Sequence, residues 1–238
     1  MEHLFILITA FLTAAFTLLS GFGLGTVLTP VFSLFYDVKI AIFLVAIVHL
    51  LNNLLKLALF RKHIRLDILK RFGILAIAGS FVGAFSQAYL GSVFLKKFLG
   101  AVLIFLGAKE LLPPTLQFRF PKSIDPIGGF CSGLLGGLVG NQGAVRSVFL
   151  LNYEIPKEVF IATGVVIACF IDAVRIPVYL VSYSDIFLGS WKFLLVLVSA
   201  TFFGTLFGSS LLKRFSLSNF RKFVAAAVIF IGIYFLVG

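Results

Sequence analysis

At 238 residues, 61% hydrophobic and only 12% charged, with a mean hydropathy of +1.13, the chain lies far from soluble domains, which run roughly half apolar and a quarter charged. That excludes a soluble globular domain, and the apolar stretches follow one another too closely for a separate soluble domain to fit. The formal charge of +11 does not point to nucleic acid, because the basic residues collect between apolar stretches: Arg61, Lys62, Arg65, Lys70 and Arg71 in one run, Lys213, Arg214, Arg221 and Lys222 in another. That is the pattern of cytoplasmic, headgroup-facing loops.

A bilayer-crossing helix needs about 20 mostly apolar residues. On that measure eight helical elements are expected at 4–35, 38–60, 68–90, 94–112, 126–151, 157–182, 190–212 and 218–237. The first reads as a membrane helix rather than a cleaved leader, since Glu2 and His3 stand where a basic start is expected. It is longer than one crossing needs and is interrupted by Gly21, Gly23 and Gly25. The second carries His49, Asn53 and Lys56 on one face, with Lys56 expected to snorkel toward the neighbouring basic loop. Gly79 and Gly83 in the third, like Gly204 and Gly208 in the seventh, have the spacing of close helix packing. Pro113, Pro114 and Pro121 mark a linker at 113–125, because consecutive prolines cannot continue a helix. The fifth element is again over-long and is broken by a glycine cluster, Gly133, Gly136, Gly137, Gly140 and Gly143, with Asn141 and Gln142 inside it and Arg146 just beyond. The cluster is too dense for one packing face. The sixth places Asp172 and Arg175 three residues apart, neighbours on one helical face. Tyr153, Tyr183 and Trp191 fit interfacial anchors, and Cys131 and Cys169 are expected as small buried hydrophobes.

The two halves of the chain resemble each other. Leu95 to Gly107 matches Phe220 to Gly232 without a gap, with Lys96 and Lys97 falling on Arg221 and Lys222. Phe81 to Ala84 matches Phe202 to Thr205, Tyr36 falls on Tyr153, and His49, Asn53 and Lys56 fall on Ala168, Asp172 and Arg175. Kept order among the matches reads as a duplication, with a first repeat at 1–112 and a second at 126–238. If all eight elements crossed the membrane, the two strongest basic loops would face opposite sides. If the glycine-broken elements are re-entrant hairpins, both loops face the cytoplasm and the repeats are inverted.

Interrupted elements in matching positions point to a transporter's binding site, because a break leaves helix N-terminal N–H groups free to hold an anion. On this ground Gly21, Gly23, Gly25, Gly140, Asn141, Gln142 and Gly143 are candidate substrate-binding positions. Arg146 joins them, because its rigid fork of donors can hold two oxygens of a sulfonate, sulfite or carboxylate. Asn53, Asp172 and Arg175 are candidates as polar residues lining a shared interior, and His49 and Asp172 are candidates for proton coupling. His3, His49 and His63 are too scattered for a metal site, and no enzyme signature or cofactor motif is present. A non-transporting membrane assembly protein and a lipid-handling membrane protein are the alternatives on these residues alone.

The segment Gly21-Phe-Gly-Leu-Gly-Thr-Val-Leu-Thr-Pro30, its degenerate second copy from Gly133 to Arg146, and the small-residue stretch Gly79-Ser-Phe-Val-Gly83 resemble the sulfite exporter TauE/SafE family. The resemblance covers nearly the whole chain. It implies a bacterial or archaeal inner-membrane, multi-pass permease for sulfite, sulfonates or related organosulfur and carboxylate anions. The expected partners are then a small anion and the lipid bilayer, with a homo-oligomer allowed and no cofactor. Leu24 and the pair Asn141-Gln142 interrupt glycine runs that are richer in the family.

Overall fold

A computed structural model of the chain describes residues 1–20, 23–112, 120–211 and 218–238. Gly21, most of the expected linker, Lys213 and Arg214 lie outside the described residues. The described residues are all-helical, with no strand: α1 (Glu2–Ser20), α2 (Leu24–Phe32), α3 (Val38–Phe60), α4 (Leu66–Tyr89), α5 (Ser92–Leu111), α6 (Asp125–Val139), α7 (Gly143–Leu151), α8 (Lys157–Leu211) and α9 (Ser218–Val237). Within α4, Leu69–Gly73 is π-helical. The stretches Val38–His63, Leu66–Tyr89 and Lys157–Ser210 are long and apolar enough to cross a membrane.

The 55-residue α8 would be about 80 Å long if straight, far more than a hydrocarbon core of about 30 Å. It is not straight. Asp172 meets His49 of α3, while Thr201 and Thr205 bond to Asn52, less than a turn further along the same helix. Contacts so far apart in α8 reach one place only if the chain reverses between them. The residue that leaves helical dihedrals is Tyr183, at φ −129° and ψ 22°. The break falls between the elements expected at 157–182 and 190–212, but as a one-residue turn, since the polar run Ser182 to Asp185 holds no proline to stop a helix. The first arm of α8 lies antiparallel to α3, with Thr163 near Arg65 and Tyr179 against Phe43, and the second arm runs parallel to it.

Small residues set the closest helix approaches. Gly129, Gly133 and Gly137 of α6 lie against the backbone of Phe72, Ala76 and Ser80 of α4, and Gly79 and Gly83 return the contact onto α6. Matching order means that α4 and α6 run parallel. Gly204 and Gly208 hold the second arm of α8 against Phe11 and Ala15 of α1 in the same way. The glycine cluster of the fifth element is therefore divided, with Gly133 and Gly137 spent on packing. Antiparallel α5 and α9 meet where Gly100 faces Gly232 and Gly107 faces Ala225. Cys169 is buried as expected, but Cys131 is exposed on the outer side of α6, because the glycines take the packed side.

Two helical pairs enter this frame from opposite ends. His3 at the start of α1 shares a hydrogen bond of 3.1 Å with Tyr36 just beyond α2, and Phe5 meets Phe35, so α1 and α2 open at the end of the bundle where α3 begins. Tyr153 just beyond α7 bonds to Asp125 at the start of α6, beside the α3–α4 turn. Burial and Asp125 raise the Tyr153 phenol above its ordinary pKa, so its proton stays in place to donate.

Candidate functional site

The two pairs touch at their turns. A side chain on Gly25 would come within 2.7 Å of the Gly140 carbonyl, and one on Gly143 within 3.3 Å of the Gly23 backbone. Gly140 ends α6 at φ +77°, a left-handed conformation that glycine adopts at no steric cost. Its amide and that of Asn141 bond back to Gly136 and Leu135, which closes α6 and lets α7 begin at Gly143. Neither α2 nor α7 has a side-chain cap at its N-terminus. Two uncapped N-termini, with the partial positive charge of their free amides, thus lie side by side inside the protein.

The side chains around this junction leave donors unmatched. Thr26, Thr29 and Asn141 are at most 1% exposed, and the Thr26 and Thr29 hydroxyls and both polar atoms of the Asn141 amide have no protein partner. Buried polar atoms are nearly always satisfied, so a cluster of exceptions calls for an explanation. Arg146, half-buried in the first turn of α7, rests against Gly164 of α8, and its buried Nη1 has no partner.

Beside the junction lies a connected network, in which the buried Gln142 Oε1 is left without a protein partner. Asp172 Oδ2 is 2.6 Å from His49 Nδ1, and Asp172 Oδ1 accepts from Arg175 Nε at 2.9 Å and Gln142 Nε2 at 3.2 Å. Arg175 donates onward to the Gly136 carbonyl at 2.7 Å, and Tyr179 donates to that of Gly137. Asn53 bonds to His49, and Ser132 to the Gln142 carbonyl. Asp172 and Arg175 are fully buried, so their mutual neutralisation is what makes both tolerable there. The pair fixes the end of α6 and the Gln142 side chain, and the carboxylate has no oxygen left over for a ligand to exploit.

The structure therefore brings together Gly23, Gly25, Gly140, Asn141, Gln142, Gly143, Arg146, Asp172, Arg175, His49 and Asn53, while Gly21 lies outside the described residues. Lys56 departs from expectation. It is 6% exposed and points to Thr17 of α1 at 3.4 Å, inside the bundle, because its helical face is the one that carries His49 and Asn53. Sequence reasoning also passed over Thr26 and Thr29, although Thr26 follows Gly25 directly and Thr29 lies one turn further on. Ser132 and Tyr179 left no signal, since their partners are carbonyls of other segments. Among the described residues no group of His, Cys, Asp or Glu could hold a metal ion.

A family model for the sulfite exporter TauE/SafE matches residues 6–235. No curated protein and no solved structure matches the chain. The match spans both helical pairs, the junction and every helix that packs around them. The chain belongs to the sulfite exporter TauE/SafE family, whose members are membrane transporters of sulfite-type anions rather than enzymes.

Proposed function

We propose that the chain is a secondary transporter in which residues 1–112 and 126–238 form inverted repeats, each led by a re-entrant helical pair, and that a small oxyanion binds where the two turns meet. The reading is carried by one observation: two uncapped helix N-termini, the buried unpartnered groups of Thr26, Thr29 and Asn141, and the Arg146 fork all converge on one place. The helix N-termini, the Thr26 and Thr29 hydroxyls, Asn141 Nδ2 and the Arg146 guanidinium can each donate to an anion, whereas Asn141 Oδ1 can only accept. The inverted relation is supported by the packing of α5 on α9. In the sequence match Gly100 corresponds to Ala225 and Gly107 to Gly232, and the contacts Gly100 to Gly232 and Gly107 to Ala225 exchange under a twofold axis. Likewise Tyr36 and Tyr153, which match, each close one helical pair.

Alternating access follows if the two pairs open in turn toward opposite faces, with the site at their junction. Candidate substrates are sulfite, sulfonates and related organosulfur or carboxylate anions. The test is flux of labelled sulfite into proteoliposomes carrying the Arg146→Lys protein. Lysine keeps the charge and loses the bidentate fork, so flux should fall about tenfold or more while membrane insertion stays normal. Unchanged flux and affinity would remove Arg146 from the site.

A further inference from the structure

The junction carries more positive charge than it neutralises. One carboxylate, Asp172, faces the network, and Arg175 is already paired with it at 2.8 Å. That leaves Arg146 and Lys56. Neither makes an ion pair among the described residues. Lys56 is 6% exposed, and its ammonium, with three protons to donate, has the Thr17 hydroxyl at 3.4 Å as its hydrogen-bond partner. His49 lies about two turns away on the same face of α3 and, if protonated, only adds to the excess. Two uncompensated cations inside a membrane protein are costly unless something brings in negative charge.

We propose that Lys56 is the second cationic ligand of this site, opposite Arg146, and that it sets the charge preference of the transporter toward doubly charged oxyanions over singly charged ones. This rests on the anion-site reading above and adds what that reading leaves open, the charge of the passenger. The supporting geometry is the placement of Lys56 on the face of α3 that carries Asn53, which bonds to His49, and His49, which reaches Gln142 and Asp172 beside the junction. A monoanion held by Arg146 and the helix N-termini leaves the Lys56 charge unmet. A dianion meets both, and because its oxygens spread over more than one direction it can accept from the guanidinium on one side and the ammonium on the other.

The test is calorimetric titration of the full purified chain in lipid nanodiscs with thiosulfate as the dianion and methanesulfonate as the monoanion, both of fixed charge across neutral pH. The wild type should bind thiosulfate at least about tenfold more tightly, the scale of one hydrogen bond to a charged group, and Lys56→Gln should erase most of that preference by weakening thiosulfate alone. Without ligand, Lys56→Gln should melt at a higher temperature than the wild type, since it removes an unpaired buried charge. A preference unchanged in Lys56→Gln, a wild type that does not favour thiosulfate, or a variant that fails to fold would each overturn the proposal for Lys56. If the wild type binds neither probe, the anion-site reading itself falls, a different failure from binding both without preference.

Discussion

Asp172 and Arg175 hold each other in full burial, so removing one charge strands the other. Asp172→Asn should lower stability by about 3–5 kcal/mol, the usual cost of breaking a buried pair. The double variant Asp172→Asn with Arg175→Gln should recover part of that loss, and only part, because Arg175 also holds the Gly136 carbonyl. Melting temperatures of the three variants decide it, and strictly additive losses would mean the two side chains act independently. These residues were legible in the sequence because charge is rare in apolar helices, and its cost makes each instance informative. Lys56 was misread for a related reason. Proximity to a basic loop along the chain says nothing about which way a helical face is turned, and the face is set by α8 and α1 packing around it.

At the scale of the helix, backbone-to-backbone contact between α4 and α6 depends on the absence of side chains. Gly133 sits against the Ala76 carbonyl, where a methyl group would overlap it, whereas Gly91 has open space around it. Gly133→Ala should therefore cost about 1–3 kcal/mol or more, the range for overpacking, while Gly91→Ala should leave melting unchanged. Thermal melts of the two proteins in the same detergent provide the comparison, and equal losses would contradict the packing. The helices themselves were readable from hydropathy, and so were Gly79, Gly83, Gly204 and Gly208 as packing glycines. The division of labour within the second cluster was not readable, because Gly137 and Gly140 look alike in sequence. Only the partner across the gap distinguishes a packing glycine from one with positive φ. The position of the turn at Tyr183 was readable between the elements 157–182 and 190–212, but its form was not, because a polar run at the end of a bundle can be a loop or a one-residue bend.

For the whole molecule, the directions of the helices constrain the topology. The α1–α2 pair opens at the end where α3 begins, the α6–α7 pair opens at the end where α3 finishes, and α5 and α9 run antiparallel. Following the chain, the Arg61 to Arg71 run and the start of α9 fall at one end, and Lys96 and Lys97 fall at the other with Tyr36. The first end carries the larger share of basic residues, so we propose that it faces the cytoplasm. Single cysteines introduced at Lys62, Lys97 and Lys222 into a protein lacking Cys131 and Cys169 test this directly, since all three positions are exposed. In intact cells an impermeant maleimide should label Lys97→Cys and spare Lys62→Cys and Lys222→Cys, and opening the cells should expose the latter two. Labelling of Lys62→Cys and Lys222→Cys from opposite sides would place an odd number of crossings between them. One helical pair would then have to span the membrane, the inverted relation would fail, and the two N-termini could no longer meet from opposite faces around a single anion.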